Sequence, residues 1–289
     1  NLQNNGKNLM YIFQNSKLKK LIIKKIKNNK KIKIFNKKIK EIKASNSSVV
    51  FGKNKFFYDA ILLCVGKHSK LIENLMKTRS IYNEPTEIAF TTMVKHKSKI
   101  ISARQYFLKD GPLAILPINE KAFSLVWSVN KNFNLENIDE IIKNKLKIIL
   151  KSDKNFSFSK VNFFPISFKF NTNFQKKNIL VLGEGSYNIH PIAGQGYNLI
   201  LRDIQTLHSE IKKYLSYGMQ LKDSGVLNNF VVKRKPENFL FGLGINLVNE
   251  FFKHNQITQP IKNVILKDIN KFKLLKNFSI NLSNKGFFY

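Results

Sequence analysis

The stretch from residue 178 to residue 203, NILVLGEGSYNIHPIAGQGYNLILRD, decides the fold. Residues 179–182 are apolar without interruption, so residues 178–182 predict a strand that is buried on both faces, as in a parallel sheet. The strand ends at Gly183, and a helix is predicted from about residue 196 to residue 214. Ligands of open α/β sheets bind in the crevice at the carboxyl ends of the strands. The sequence therefore predicts a ligand site between the strand and the helix.

The residue types in this stretch suit a nucleotide-like or anionic ligand. Glu184 stands at the tip of the strand, where its carboxylate can accept hydrogen bonds from ribose hydroxyl groups. Gly194 and Gly196 let backbone N–H groups approach a ligand closely, and the helix N-terminus favours negative charge. The spacing alone fits an ordinary strand–loop–helix connection equally well.

A second apolar run, residues 60–65, ends at Gly66 and predicts another strand buried on both faces. Cys64 lies in this run, so we expect a buried structural thiol. Upstream, residues 9–28 predict an amphipathic helix with Asn15 or Ser16 as its N-cap. Short strands are predicted at residues 32–35, 39–43 and 49–51.

The middle of the chain has the alternating pattern of an antiparallel sheet. Strands are predicted at residues 87–94, 100–108, 114–117, 123–129 and 161–170, with a helix at residues 135–151. The tail from residue 226 to residue 289 is predicted to be helical, with Pro236 and Pro260 dividing it into segments. Leu240, Leu243 and Leu247 share one face of this tail.

The formal net charge of +32 is explained by the overall composition of the chain and does not indicate a nucleic-acid partner. Of the 50 basic residues only four are arginine, namely Arg79, Arg104, Arg202 and Arg234, and Lys, Asn, Ile and Phe have A/T-rich codons. Proteins that recognise nucleic acids usually favour arginine, whose planar fork makes bidentate contacts. We therefore expect no specific nucleic-acid partner. The single cysteine excludes an internal disulfide, and we expect a cytoplasmic protein with peripheral contact to the inner membrane.

Several motifs resemble one known family. Gly183, Glu184, Pro191, Gly194, Gly196, Asn198 and Asp203 match in order the second flavin-binding motif of class A flavoprotein monooxygenases, the p-hydroxybenzoate hydroxylase group. Residues 190–199 (HPIAGQGYNL), 110–117 (DGPLAILP) and 124–127 (SLVW) resemble the ubiquinone-biosynthesis hydroxylases of that group more closely. The resemblance extends over nearly the whole chain.

The resemblance implies FAD as the cofactor, NAD(P)H as the electron donor, and hydroxylation of a polyprenylated phenol with O2. It assigns the following residues to the FAD site: Gly183, Glu184, Pro191, Ala193, Gly194, Gln195, Gly196 and Asn198. No metal and no catalytic side chain is implied. Phe90, Phe107 and Trp127 are candidates for the substrate pocket, although core packing is the more common role of such residues.

The implied fold is α/β, with a Rossmann-like FAD/NAD(P)-binding domain whose N-terminal part is missing, an inserted antiparallel-sheet substrate domain and a helical C-terminal tail. Residues 1–78 and 176–215 would form the FAD-binding domain, residues 79–175 the substrate domain, and residues 216–289 the helical region. The glycine-rich loop GxGxxG of the family is absent, which implies that it lies upstream of residue 1. We therefore expect the 289-residue chain to hold FAD weakly.

Four positions depart from the family pattern. Val65 replaces an aspartate, Ser16 an arginine, Tyr187 a histidine and Glu184 the usual aspartate. The first two changes favour an alternative function, a non-catalytic relative that serves as a scaffold in a quinone-biosynthesis complex. A basic protein that binds nucleic acid or a membrane surface is the other alternative.

Overall fold

The computed structural model describes residues 11–66, 69–77, 79–97, 102–151, 156–191, 194–223 and 225–252. The α-helices are α1 (Asn15–Lys27), α2 (Lys70–Met76), α3 (Ile138–Leu150), α4 (Gln195–Ser216) and α5 (Gly225–Phe252). The strands are β1 (Ile39–Lys43), β2 (Ser48–Phe51), β3 (Asn54–Phe57), β4 (Ile61–Leu63), β5 (Ser80–Tyr82), β6 (Glu87–Lys95), β7 (Arg104–Leu108), β8 (Gly111–Asn119), β9 (Ala122–Asn130), β10 (Ser157–Phe158), β11 (Asn162–Ile166), β12 (Lys169–Asn171), β13 (Gln175–Lys176), β14 (Ile179–Val181) and β15 (Tyr187–Asn188).

The chain divides into two compact units. The first comprises residues 1–36 and 87–165, and the second comprises residues 37–86 and 166–289. None of the helices in the described part of the chain is long and apolar enough to cross a membrane.

The first unit is built on an antiparallel sheet in the order β10-β6-β9-β8-β7, with β11 also paired to β6. Alternation places one set of side chains on the face that packs against α3, where Ile142 and Leu146 are fully buried. Phe90 and Trp127 lie on this face, are completely buried, and contact each other at 5.3 Å between ring centroids. They are core residues, whereas Phe107 alternates to the opposite face and is 37% exposed.

The second unit contains the two apolar runs, which pair as parallel strands β4 and β14. All three residues of β14 are buried, as predicted. The prediction for β4 was wrong in one respect, because only one of its faces is buried and Leu62 is 43% exposed. Cys64 is also exposed, so the expectation of a buried thiol was wrong. The alternation of a short strand carries every second side chain away from the core.

Residues 161–170 form two strands instead of the single one predicted. β11 pairs with β6 in the first unit, while β12 pairs with β5 and β15 in the second. The residues between them, Ser167 and Phe168, belong to neither strand. An apolar run cannot show that its two ends have different partners, because pairing is decided by residues far away in sequence.

Two long helices, α4 and α5, complete the second unit. Leu199 and Leu207 of α4 pack with Phe230, Phe241 and Ile245 of α5 in one hydrophobic cluster. The predicted break at Pro236 does not occur, because Pro236 lies inside α5.

The apolar face predicted for the tail is not the buried one. Leu240, Leu243 and Leu247 are all exposed, while Phe241 and Ile245 are buried. Two smaller expectations were also wrong: residues 32–35 form no strand, and Gln14, not Asn15 or Ser16, is the N-cap of α1. Pro260, Ala193 and the tail beyond residue 252 lie outside the described residues.

Candidate functional site

A cleft of about 320 Å³ lies in the second unit, where the segment after β14 meets the start of α4. Its lining residues come from both sides: Glu184, Tyr187, Asn188, Ile189, Pro191, Gly194, Gly196, Tyr197 and Ile200. Residues 184–191 form one wall, which we call the β15 wall, and residues 194–200 form the other, which we call the α4 wall. The cleft therefore occupies the place that the strand–loop–helix pattern predicted.

The β15 wall begins with a tight turn. Gly183 has a φ of +83°, a backbone conformation that favours glycine, and the turn places Glu184 at an exposed position on the cleft. Gly185 is packed so closely that an added Cβ would lie 2.9 Å from the carbonyl oxygen of Val65 and 2.7 Å from Ile72. The backbone just after β4 thus approaches the wall directly.

The α4 wall begins at Gly194, the N-cap of α4, with φ +63° and ψ 25°. Its N–H donates to the carbonyl of Pro191 at 3.0 Å, and the space where a Cβ would stand is open. Within the described residues no side chain caps this helix end, and its first turn carries no acidic residue. A 22-residue helix therefore presents N–H groups and the positive end of its dipole beside the cleft.

Side chains inside the protein hold the β15 wall in place. The Ser186 hydroxyl donates to the carbonyl of Val181 at 2.6 Å, and Asn171 donates to the carbonyl of Gly185 at 2.6 Å. Asn188 donates to the carbonyl of Ser167 at 2.5 Å. These bonds satisfy backbone groups that an irregular segment would otherwise leave unpaired in the interior.

A buried polar network joins the cleft to α4 and α5. The Tyr187 hydroxyl donates to Asp203 Oδ2 at 2.5 Å, and Arg234 Nε donates to Asp203 Oδ1 at 2.7 Å. Asn238 Nδ2 also donates to Asp203 Oδ1, at 3.0 Å, while Arg234 forms a salt bridge with Glu237. Burial raises the pKa of the Tyr187 phenol well above its usual range, and the adjacent Asp203 carboxylate raises it further.

The structure brings together seven of the eight residues that the resemblance assigned to the FAD site, and the eighth lies outside the described residues. Gly183, Glu184 and Pro191 belong to the β15 side; Gly194, Gln195, Gly196 and Asn198 belong to the start of α4. Asn198 Nδ2 donates to Gln195 Oε1 at 3.3 Å. Ala193 lies outside the described residues. His190, which directly precedes Pro191, is buried.

Sequence reasoning missed the residues that support this site from α5. Arg234, Glu237 and Asn238 are all buried. Their spacing of three and four residues places them on one helix face, which was a usable signal. The scarcity of arginine in a lysine-rich chain was another. Among the described residues no cluster of His, Cys, Asp and Glu could hold a metal ion.

Known proteins resemble the chain in sequence and in structure. The mitochondrial ubiquinone biosynthesis monooxygenase COQ6 of Dictyostelium discoideum is 29% identical over 215 residues, which cover 62% of this chain and 43% of that protein. The 3-demethoxyubiquinol 3-hydroxylase of Escherichia coli is 29% identical over 164 residues, which cover 53% of this chain and 40% of the relative. The chain thus spans less than half of the length of these relatives.

The fold matches that of p-nitrophenol 4-monooxygenase PnpA of Pseudomonas putida, with a TM-score of 0.76 at 13% identity, covering 92% of this chain and 70% of that one. The probable FAD-dependent monooxygenase pqsL of Pseudomonas aeruginosa gives a TM-score of 0.63 at 18% identity, covering 81% and 67%. A family model described as squalene epoxidase matches residues 124–273, more than half of the chain. The chain therefore belongs to the squalene epoxidase family.

Proposed function

We propose that this chain is part of an FAD-dependent monooxygenase that hydroxylates a polyprenylated phenol in ubiquinone biosynthesis. The observation that carries the proposal is the cleft in which Glu184 and Pro191 face the glycine-rich start of α4. The names of the similar proteins, a ubiquinone biosynthesis monooxygenase and a 3-demethoxyubiquinol 3-hydroxylase, support the substrate class.

The residues of the cleft fit a flavin. Gly194 leaves open space where a side chain would block a flat ring, and the N–H groups at the start of α4 suit an electron-rich ring edge. Glu184 is placed to accept hydrogen bonds from ribose hydroxyls, and Gln195 and Asn198 brace the first turn of the helix. When bound, FAD would supply the redox chemistry, with NAD(P)H as the donor of electrons and O2 as the source of the hydroxyl oxygen.

The protein's own contribution is binding, orientation and electrostatic stabilisation. The helix dipole of α4 stabilises negative charge on a ring that lies at its N-terminus. Pro191 offers an apolar surface to the ring without a competing N–H donor. We propose that Gly183 and Ala193 complete the site through their backbone. No side chain of the cleft needs to act as a nucleophile in this chemistry.

We propose the following functional division of the chain: residues 1–78 and 176–215 bind FAD, residues 79–175 bind the phenol, and residues 216–289 form a helical region. In the sheet of the first unit, one face is filled by α3 and the other remains accessible, with Phe107 on it. We assign the accessible face to the aromatic substrate.

A flavin titration tests the proposal. FMN is a suitable probe because it carries the isoalloxazine ring and lacks the AMP moiety of FAD. We expect FMN to bind the 289-residue chain with a change in its visible absorption and fluorescence, since Pro191, Gly194 and Gly196, which we propose to contact the ring, line the cleft. Duplex DNA and ATP serve as anionic competitors that should not displace it. If FMN and FAD leave the spectra unchanged at saturating concentrations, the chain is not a flavin-binding protein, and the scaffold function is favoured.

Peripheral attachment to a membrane surface and participation in a quinone-biosynthesis complex are further parts of the proposal. A polyprenylated phenol partitions into lipid, so an enzyme acting on it benefits from contact with the bilayer. The exposed helix α1 supports this part, since none of its residues is buried and lysines surround its apolar side chains. We propose no specific nucleic-acid partner.

A further inference from the structure

Tyr187 connects the two walls of the cleft. Tyr187 belongs to β15 and is one of the residues that line the cleft, yet its hydroxyl donates to Asp203 of α4. Asp203 lies eight residues after the first residue of α4, which is about two turns along the helix. The hydrogen bond from Tyr187 to Asp203 therefore ties the β15 wall to the helix that forms the other wall.

Both ends of this connection are held firmly. The Tyr187 ring stacks on Phe170, with 6.2 Å between centroids and 20° between planes, and Phe170 in turn contacts Phe239 of α5 at 5.0 Å. The Asp203 carboxylate accepts hydrogen bonds from Arg234 and Asn238 as well, so it does not depend on Tyr187 for its position. The Tyr187 side chain thus joins β15 to α4 across a fixed distance.

The segment next to Tyr187 reaches the cleft directly. Asn188 and Ile189 follow it in the β15 wall and both line the cleft. Behind them, α5 approaches closely at Gly242, where an added Cβ would lie 3.1 Å from Ile189 and from Phe168. Ile189 is therefore confined on one side by α5, and the Tyr187 hydroxyl determines where the neighbouring backbone lies relative to α4.

We propose that Tyr187 is a positioning residue, whose hydrogen bond to Asp203 sets the separation between the β15 wall and the α4 wall and thereby the fit of the flavin ring. The inference rests on the proposed function, because it takes the ligand of the cleft to be a flavin. It concerns a position at which this chain departs from the histidine that is usual in the resembling family.

Replacement of the tyrosine by phenylalanine isolates the hydroxyl. Tyr187→Phe keeps the stack on Phe170 and leaves Asp203 with its bonds to Arg234 and Asn238. Tyr214→Phe is the matched control, because Tyr214 lies on α4 outside the cleft lining and its hydroxyl accepts a hydrogen bond from Asn229 of α5 at 3.2 Å. Each change removes one hydroxyl from a hydrogen bond that involves α4.

Three measurements on the full chain decide the proposal. We expect Tyr187→Phe to weaken FMN binding about tenfold and to alter the visible spectrum of bound FMN, since one hydrogen bond is worth about that factor, while Tyr214→Phe does neither. Amide hydrogen exchange without ligand should accelerate at residues 188–190 and 195–198 in Tyr187→Phe only. The thermal unfolding midpoint of Tyr187→Phe should stay within a few degrees of that of Tyr214→Phe.

The outcomes separate the inference from the function on which it rests. Wild-type protein that binds FMN, together with unchanged affinity and exchange in Tyr187→Phe, overturns the inference alone. Loss of cooperative unfolding in Tyr187→Phe overturns it as well, because the hydroxyl would then serve folding. Wild-type protein that binds no FMN contradicts the proposed function and with it the assignment of the ligand, while the exchange pattern still shows whether the hydroxyl holds the two walls.

Discussion

Gly194 has two properties at the residue scale that a larger residue would lose. Its φ of +63° lies in the left-handed region, and the space at its absent Cβ opens onto the cleft. A positive φ is found in many turns and does not by itself indicate a ligand. Open space beside the cleft, in contrast, leaves room for one. Gly218, at the other end of α4, shares both the positive φ of 75° and the open space but is not part of the cleft.

Replacing Gly194 with valine should therefore abolish measurable FMN binding. A β-branched side chain in the left-handed region costs about 1–3 kcal/mol of stability, and its branches would occupy the surface that the flat ring needs. Titration of the variant with FMN, followed by fluorescence, measures the effect.

Gly218→Val is the control for this variant, because it bears the same backbone strain at a distance from the cleft. It should lose similar stability in thermal unfolding and keep its affinity for FMN. Equal affinity in Gly194→Val and Gly218→Val would show that the start of α4 does not contact the ring.

At the scale of elements, the sequence predicted what depends on local pattern. The apolar residues of β14 and the periodicity of α4 indicated both elements, and the glycines between them indicated the turn. The orientation of α5 could not be read in this way. Its buried face carries Arg234, Glu237 and Asn238, which hydropathy assigns to solvent.

The burial of these polar side chains depends on partners remote in sequence. Arg234 can leave water only because Asp203, 31 residues away, accepts its hydrogen bond. The continuity of α5 through Pro236 has a similar origin. Pro236 and Val232, whose carbonyl loses its partner, are both exposed, so water can satisfy that carbonyl.

Helix α1 should bind anionic vesicles. Six lysines (Lys17, Lys19, Lys20, Lys24, Lys25 and Lys27) accompany its apolar residues, no acidic residue is present, and Leu21 and Ile22 are 62% and 47% exposed. Each lysine near an anionic surface contributes about 1 kcal/mol, and the apolar side chains insert at the headgroup boundary. We expect co-sedimentation with vesicles of phosphatidylglycerol and phosphatidylcholine, and much less with phosphatidylcholine alone.

The variant Ile22→Ser should weaken this binding, because it removes apolar surface from the helix. Ile148→Ser is the matched control, since Ile148 is a 74% exposed isoleucine on α3. Equal vesicle binding by the two variants would contradict the assignment of the membrane contact to α1.

At the scale of the whole molecule, the resemblance of short motifs indicated the family, whereas composition did not. The family match and the structural likeness agree with the motif order that runs from residue 110 to residue 203. The net charge, taken alone, would have suggested a nucleic-acid-binding protein. A lysine-rich composition is compatible with many folds, whereas this order and spacing of motifs is specific to one fold.

Duplex DNA binding by the chain should accordingly be weak and independent of sequence. Lysine-rich surfaces attract phosphate mainly by releasing counterions, and the logarithm of such a binding constant falls linearly with the logarithm of salt concentration, with a slope of about −0.9 for each phosphate neutralised. Several contacts of this kind are largely lost between low salt and physiological salt. Fluorescence anisotropy with two unrelated duplexes over a salt series measures both the slope and the specificity.

The two duplexes should give the same slope and the same affinity, because lysine ammonium groups that meet only phosphates cannot distinguish bases. Saturating FMN should leave both unchanged, since the cleft would bind the ring and the dispersed lysines would bind the DNA. A complex that prefers one duplex and persists at physiological salt would instead require contacts to base edges, for which the four arginines of the chain would be the first candidates.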